Sequence, residues 1–482
     1  MNRSKIVLCI LIFHSKNSFR GQMVSESQDI EQSEDQPALE TIVSLAKRRG
    51  FVYPSAEIYG GFAASYDYGP LGVEIKRQIR DLWWQSMVRE REDIVGIEAA
   101  IITNPRVWEA SGHLDVFSDP LIDCLKCNAR IRADHLEDNQ CPECGAEDQF
   151  TEAREFNLML STQVGPVEDD SATAYLRPET AQGMFINFEN VQTTTRKRLP
   201  FGIAQIGKSF RNEITTKQFI FRTREFEQME MEFFCRPEES LEWHAYWKKE
   251  RLRWYYRLGI RSENLRMRDH DAEELSHYSS GTSDIEVRYR WGWGELEGIA
   301  HRGDYDLSQH SAHSGKKLTY FDPDTNEHIV PHVIEPAAGV DRILLTLLID
   351  AYHEETTANG ETRTVLKLAP EVAPAEVAIL PLSRNEKLVP TAKKIHDLIR
   401  PHFRSQYDDA QSIGRRYRRQ DEIGTPLAVT VDFDTLDDDA VTIRDRDTME
   451  QIRVPVNKIN ESITNRLDEL TPHIPEMDEI NV

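Results

Sequence analysis

Four hundred and eighty-two residues provide chain for roughly three folding units and a large buried core, which excludes a small disulfide-stapled scaffold. Hydrophobic content of 39%, aromatic content of 9% and 29% charged residues describe a globular protein, and no apolar run reaches the roughly 18 residues of a membrane span. The 58 Lys plus Arg against 82 Asp plus Glu, net −24, argue against a protein that grips nucleic acid by bulk charge.

Only 17 of the basic residues are Lys and 41 are Arg. Salt adaptation accounts for the acidity and the scarce Lys together: at molar salt the Debye length is about 3 Å, so local Arg contacts still bind RNA. An ordinary acidic cytosolic enzyme accounts for the charge equally, and both readings stay open.

Along the chain, Ile6 to Phe13 imitates a short signal peptide, but His14, Lys16 and Arg20 follow without a small-residue cleavage pattern. The polar stretch from Ser25 to Gln36 suits a native amino terminus beginning at Met23, so residues 1–36 are expected to be a tail with an over-extended start. Leu39, Ile42, Val43 and Ala46 recur at helical spacing and Gly50 caps them; Val73, Ile75, Ile79, Leu82, Trp83 and Met87 predict a longer helix. Arg236-Pro237-Glu238-Glu239 opens a third helix whose Trp243, Tyr246, Trp247, Trp254 and Tyr255 are expected to pack in a core before Gly259 ends it. A linker is expected around Thr364 to Pro374. Beyond it, a helix over Val389 to Ile399 and a strand over Ala428 to Phe433 suggest a small α/β unit.

Three segments carry chemistry. Cys124-x-x-Cys127 and Cys141-x-x-Cys144, the latter followed by Gly145, match two zinc knuckles that close a tetrahedral sulfur shell; two disulfides are the alternative. Gly202 to Ser209 matches the GxxxxGK[ST] phosphate-loop pattern, but β-branched Ile203 and Ile206 make it strand-like and no amphipathic helix follows, so the match is read as chance. Instead, Gly202 to Phe234 reads as two antiparallel strands joined near Thr215 to Gln218. Parity sets Arg222, Arg224, Phe226, Gln228, Glu230 and Glu232 on one polar face and Met229, Met231 and Phe233 on an apolar one, while Arg211 and Glu213 share a face of the outgoing strand. Arginines, a ring and carboxylates on one sheet face suit a triphosphate, a purine and an ammonium group. Finally, Glu335-Pro336-Ala337-Ala338-Gly339-Val340-Asp341-Arg342 reads as strand, turn and helix, with Arg342 in the first helical turn.

Tyr66-Asp67-Tyr68-Gly69-Pro70-Leu71-Gly72, Arg177-Pro178-Glu179-Thr180-Ala181-Gln182-Gly183, Phe210-Arg211-Asn212-Glu213 with Arg224-Glu225-Phe226, and Gly339 to Arg342 occur in one order. In these pieces the chain resembles the class II aminoacyl-tRNA synthetases, specifically the homodimeric glycyl-tRNA synthetases, from about Leu39 to Val454. The class I signatures HxGH and KMSKS are absent.

The resemblance implies an α+β fold: an antiparallel-sheet catalytic core over 37–366 with a zinc-ribbon-like insertion at about 121–150, and an anticodon-binding α/β domain over 367–482. It implies glycine, ATP with Mg2+ and tRNA(Gly) as partners, a structural zinc on Cys124, Cys127, Cys141 and Cys144, dimerisation through the segment around Tyr66 to Gly72, and a cytoplasmic protein without a membrane partner. By carry-over, Arg211 holds the α-phosphate, Glu213 approaches the adenine amino group, Phe226 stacks the adenine and Arg342 reaches the γ-phosphate. Arg211 and Arg342 are the catalytic pair.

Asn212, Phe221, Arg222, Thr223, Arg224, Glu225, Glu295, Leu296, Gly339, Val340 and Asp341 complete the implied ATP site. Arg132, Glu179, Phe226, Glu227, Gln228, Met229 and Glu230, with Glu335 to Gly339 (Glu335, Pro336, Ala337, Ala338, Gly339), are the implied glycine side. Ala337 departs from the family, where Ser follows the Glu-Pro pair. In the last domain, Arg415, Arg416, Arg418 and Arg419 around Tyr417 are candidates for anticodon contact, with Asp421 and Glu422 adjacent as ion-pair partners in the alternative reading. An accessory subunit that has lost aminoacylation, a zinc-ribbon nucleic-acid module and a P-loop ATPase are the competing functions. Retention of Arg211, Glu213 and Arg342, the small share of the chain in the zinc segment, and the strand-like setting of Lys208 argue against each in turn.

Overall fold

The computed structural model describes residues 36–133, 136, 139–166, 172–214, 218–271, 274–275, 279–357, 360–480 and 482. The expected start at Met23, the tail before Gln36, the tip of the loop at Thr215 to Lys217, and Asp134 and His135 lie outside those residues.

Helix α1 (Leu39–Arg49) buries Ile42, Leu45 and Ala46 and ends at Gly50, whose φ of 80° lets its N–H reach the Ala46 carbonyl. Helix α2 (Pro70–Trp84) buries Ile75, Ile79 and Trp83, and a π-helical turn over Gln85–Arg89 extends the stripe to Met87. Val73, expected on that face, is exposed because it stands outside the row repeating every fourth residue from Ile75.

Seven strands build the central sheet: β1 (Ile94–Gly96), β2 (Phe201–Phe210), β3 (Glu225–Cys235), then, after helix α3 (Ser240–Arg257), β4 (Leu265–Asp269), β5 (Gly281–Tyr289), β6 (Gly292–Gly303), and, after helix α4 (Tyr305–Ser314), β7 (His332–Gly339). Their order is β4-β5-β6-β7-β3-β2-β1, antiparallel throughout except for the β1–β2 pair. β7 runs directly into helix α5 (Val340–Asp350); the expected turn between them is a single change of backbone conformation at Gly339.

Met229, Met231 and Phe233 turn to the face covered by α3 and α5, where the Phe233 ring lies 4.7 Å from Trp243 and 5.2 Å from Trp247. Trp247, Trp254 and Tyr255 are buried, so the aromatic stripe is core packing. The opposite face of β3 is polar but is not solvated: Glu230 is 2% and Glu232 0% exposed.

After β8 (Tyr352–Thr356) and β9 (Thr362–Leu366), a second sheet holds β10 (Val377–Pro381), β11 (Ser405–Tyr407), β12 (Leu427–Val431), β13 (Ala440–Asp445) and β14 (Gln451–Pro455) in the order β11-β10-β12-β13-β14. Helices α6 (Leu388–Ile399), α7 (Ile413–Ile423) and α8 (Ile459–Leu470) accompany it. Thr364 belongs to β9, and Val372 and Ala373 are buried in the core of the first unit, so the expected linker is packed structure. Asp421 of α7 accepts from Arg363 of β9 at 3.1 Å and from Arg444 at 2.9 Å, all three buried, which ties the two units together.

Candidate active site

On the polar face of the large sheet, β3, β6 and β7 line a cleft of about 330 Å3. Alternation delivers Phe226, Gln228 and Glu230 from β3 and Glu335, Ala337 and Gly339 from β7 to the same side, and Gly298 and Ala300 from β6. A bulge in the β5–β6 pairing, which matches Ile285 with Glu297 but Glu286 with Glu295, turns Glu295 back to this face.

At one end lie the cations. The Arg211 Nε donates to the Pro178 carbonyl at 3.0 Å, and its guanidinium stands 5.4 Å from the Phe226 ring centre. Arg342 donates to the Phe221 and Glu295 carbonyls at 3.2 and 3.0 Å, lies 4.6 Å over the Phe221 ring, and pairs with the Glu295 carboxylate at 3.3 Å. Arg342 holds that carboxyl below its ordinary range. Glu213, with Arg222 at 3.8 Å, and Thr223 and Leu296 complete this end. The arginine ends are thus held by carbonyls on one side, the arrangement that leaves a planar donor set for an anion.

At the other end lie acids. Glu179 accepts from His113 at 3.3 Å and from Gln182 at 3.0 Å. Burial pushes its carboxyl up, but His113 and Arg302 outweigh that and hold it well below the usual range. Arg302 forks onto Asp306 at 2.7 and 2.9 Å and reaches Glu335 at 2.7 Å. Glu230 bonds with the Thr180 hydroxyl. Burial, reinforced by Glu335 and Glu179, pushes its carboxyl up to about 8. Burial likewise takes Glu335 to about 7 against the pull of Arg302. A concave acid cluster beside a pair of arginines can hold a zwitterion's ammonium group while the arginines hold phosphates.

Several residues expected here lie elsewhere. Glu227 and Met229 have odd parity and face the other side of β3, Glu227 pairing with Lys76 at 3.2 Å and Met229 lying in the core. Pro336 alternates away from the cleft, and Val340 turns into the same core as Met229. Glu225 pairs with Lys208 at 2.8 Å, Arg224 donates to the Ala63 and Glu213 carbonyls, and Asn212 gives its backbone N–H to Leu158; none lines the cleft. Arg132 pairs with Asp119 at 3.0 Å in the small sheet of the cysteine segment. Asp341 does line the cleft, but its carboxylate is engaged by Lys76 at 2.7 Å, by the Tyr68 hydroxyl and by the Glu227 N–H.

His113, Arg302 and Asp306 carry no motif in the sequence, and Thr180 and Gln182 stand there only as members of the Arg177 to Gly183 segment, without a role of their own. The signal for Arg302 is a charged residue within the apolar end of β6, four residues before Asp306.

Gly202 to Ser209 is part of β2, as strand-like texture predicted, and holds no phosphate loop. Gly207 is needed there for another reason: a Cβ would sit 2.1 Å from the Arg177 guanidinium. In α7, Arg416 is buried and donates to the Pro381, Asp409, Ala410 and Gln411 carbonyls, Tyr417 bonds with Thr430, and Arg419 pairs with Asp408. Arg418 contacts Glu361 and Asp421. Of the expected basic cluster, only Arg415 is on the exposed surface; the rest stabilises the fold, because the helix is amphipathic with these side chains turned inward or onto acids.

The four cysteines converge. Cys124 and Cys144, and Cys127 and Cys141, have Sγ atoms 3.7 Å apart, and all four sulfurs lie within 4.8 Å of one another. Sulfur at about 2.3 Å from a tetrahedral centre gives edges of about 3.8 Å. The two knuckles repeat one turn: the Asn128 N–H reaches the Cys124 carbonyl and the Gly145 N–H the Cys141 carbonyl, each at 2.8 Å with positive φ.

Comparison with known proteins agrees with this geometry. A family model of the tRNA synthetase class II core domain (G, H, P, S and T) matches residues 166–352, and one of an anticodon binding domain matches 376–466. The glycine–tRNA ligase of Thermobifida fusca is 56% identical over 453 residues, 89% of this chain and 98% of that protein. The glycine–tRNA ligase of Streptomyces coelicolor is 55% identical over 452 residues and that of Clostridium kluyveri 53% over 458, with the same coverage. With a class II core, an anticodon-binding domain and this degree of identity, the chain belongs to the glycine–tRNA ligase family.

Proposed function

We propose that the cleft activates glycine with ATP and passes the glycyl group to tRNA(Gly). The observation that carries this reading is the presence, in the lining of one cleft, of Arg211 and Arg342 together with the buried acids Glu179, Glu230 and Glu335. The glycine carboxylate attacks the α-phosphorus in line, an oxygen–phosphorus bond forms and the bond to pyrophosphate breaks. A hydroxyl of the terminal tRNA ribose then attacks the carbonyl of glycyl-adenylate, and AMP leaves. Arg211 orients and neutralises the α-phosphate, Arg342 the γ-phosphate, and Phe226 stacks the adenine beside Glu213. Mg2+ brought in with ATP would supply further charge neutralisation, and Glu295, whose carboxylate lines the cleft beside Arg342, is a residue that would hold it. Gln228 and the backbone from Ala337 to Gly339 shape the floor. ATP–pyrophosphate exchange with glycine, alanine and serine tests the reading: exchange with glycine alone is expected, and folded protein without exchange would favour an accessory subunit.

Ala337 bears on specificity. It lines the cleft on the strand that carries Glu335, where a hydroxyl adds one hydrogen-bonding group and little volume. Ala337→Ser is expected to change glycine KM by less than about tenfold, the worth of one hydrogen bond of about 1 kcal/mol. Loss of all exchange in that variant contradicts this pocket.

The cysteine cluster is proposed to hold a structural Zn2+, supported by four sulfurs within 4.8 Å of one another and two edges near those of a tetrahedron. Cys141→Ser is expected to abolish stoichiometric zinc in elemental analysis and to lower the melting temperature; unchanged zinc and stability would remove the metal role.

Dimerisation, domain limits and location complete the reading. Ile58, Tyr59 and Phe62 are 88%, 86% and 64% exposed next to Tyr66 to Gly72, an apolar patch that supports a homodimer built on that segment. The catalytic unit is taken as 37–366 and the anticodon-binding unit as 367–482, following residues 1–36. No helix among the described residues is long and apolar enough to cross a membrane, and the cytoplasm is the proposed site of action.

A further inference from the structure

The acid end of the cleft holds more carboxylates than its cations can neutralise. Glu230 and Glu232 from β3 and Glu335 from β7 each place an oxygen within 4.8 Å of the others, and all three are buried. The register that matches Glu230 with Ala337 and Phe233 with Ile334 sets Glu232 opposite Glu335, the position where like charges on neighbouring strands repel most. Glu179 and Asp306 add two more acids. Against these five stand one fully buried guanidinium, Arg302, already divided between Asp306 and Glu335, and the His113 imidazole on Glu179. Arg177, also buried, adds its charge beside Glu230 while its Nε and Nη1 donate to the Lys208 and Ala99 carbonyls, so the acids still outnumber the cations.

Glu232 shows how the excess is held. Both of its oxygens are buried and neither receives a hydrogen bond from any N–H or hydroxyl donor among the described residues. Its neighbour is a carboxylate, so the two can be bonded only when one of them carries a proton, the arrangement by which paired acids share a site. Glu232 lies behind the cleft wall, whereas Glu230 and Glu335 open onto it. The cluster therefore holds at least one proton, between Glu232 and Glu335, behind the two acids that open onto the cleft.

We propose that glycine binding exchanges its ammonium group for a proton at this cluster: Glu230 enters as a carboxylic acid, becomes the carboxylate that accepts an ammonium N–H, and releases one proton to solvent, while the proton shared by Glu232 and Glu335 stays. The proposal rests on the reading of the cleft as the glycine site. Charge balances, since one positive group replaces another. Burial, with the charges of Glu335 and Glu179, raises the free Glu230 carboxyl to about 8, which agrees with its holding a proton at neutral pH, and burial with Glu335 raises Glu232 well above its ordinary range. The sign follows from linkage: the free protein binds more protons than the complex, so glycine affinity rises with pH, by up to about tenfold per unit for one proton, until Glu230 ionises unaided. Glycine's own amino group stays protonated through this range and does not cancel the effect.

The test is calorimetric titration of the full-length protein with glycine at pH 7 in phosphate and in Tris, whose ionisation enthalpies differ. The dependence of the observed heat on buffer counts protons, and about one released per glycine is expected. The same count in His113→Asn supports Glu230 as the source, and Glu230→Gln is expected to bind glycine weakly with heats that no longer depend on buffer. Tight glycine binding with buffer-independent heat in the wild-type protein overturns the exchange while leaving the glycine site intact, and a count that vanishes in His113→Asn overturns it in favour of the imidazole. Absence of both glycine binding and glycine-dependent exchange instead strikes the reading of the cleft on which the proposal rests.

Discussion

Replacing Arg211 by alanine is expected to lower glycine-dependent ATP–pyrophosphate exchange by about 10²- to 10³-fold, the cost of removing one preorganised donor from charge developing in a transition state. Its Nε is tied to the Pro178 carbonyl and its plane is held beside Phe226, so the guanidinium is positioned before substrate arrives and no reorganisation is needed at the moment of reaction. The fold does not depend on it to the same degree, because it is half-buried at the cleft and forms no ion pair within 4 Å among the described residues, its Nε bonding to a carbonyl. Rate should therefore fall while the melting temperature moves little. Arg211→Lys is expected to recover only part of the loss, since a point charge cannot reproduce the fork. An alanine variant within threefold of the parent rate would dismiss the phosphate role.

Arg302→Ala should have the largest effect on stability. Arg302 is 3% exposed and is the cation between Asp306 and Glu335; its removal leaves two buried carboxylates without their partner, a loss of about 3–5 kcal/mol. Denaturant unfolding at pH 7 would show it, together with loss of glycine-dependent exchange. The deficit has a definite pH dependence. Without the guanidinium, which pulls its carboxyl down, Glu335, already raised to about 7, titrates still higher in the folded than in the unfolded chain. The folded variant then binds more protons than the unfolded one, so its stability improves as pH falls below neutrality. A deficit that is small, or equal at pH 5.5 and 7.5, would show that the acids are neutralised in another way.

Much of the site was legible from local pattern. Strand parity separates Glu230 from Met229 with no knowledge of partners, a helix beginning at Val340 brings Arg342 into its first turn, and Cys-x-x-Cys twice within 21 residues is a closed ligand set in itself. Parity also exposes where the carry-over from resemblance reached too far: Glu227 and Met229 are neighbours of site residues in sequence, yet alternate strand positions point to opposite faces. At Arg415 to Arg419 the sequence left anticodon contact and a salt-bridged helix both open, because five consecutive residues of a helix spread over its whole circumference; in the fold Arg416 turns inward and Arg418 and Arg419 turn onto acids.

Local pattern suffices for the helices α1, α2 and α3, the two faces of β3, the thiol knuckles and the family. Which charges meet is settled only when the chain has folded. Arg302 and Glu335 are 33 residues apart, Glu179 and Glu230 51, and Gln182 and Asp306 124, and they converge because the β6–β7–β3 pairing folds distant segments onto one sheet face. The bulge that turns Glu295 toward Arg342 is likewise invisible to a pattern of period two. Local pattern is set by short-range sterics and by each residue's affinity for water. The protonation of a buried carboxylate is set by the sum of charges around it in a medium of low polarity, and that sum exists only after the chain has closed.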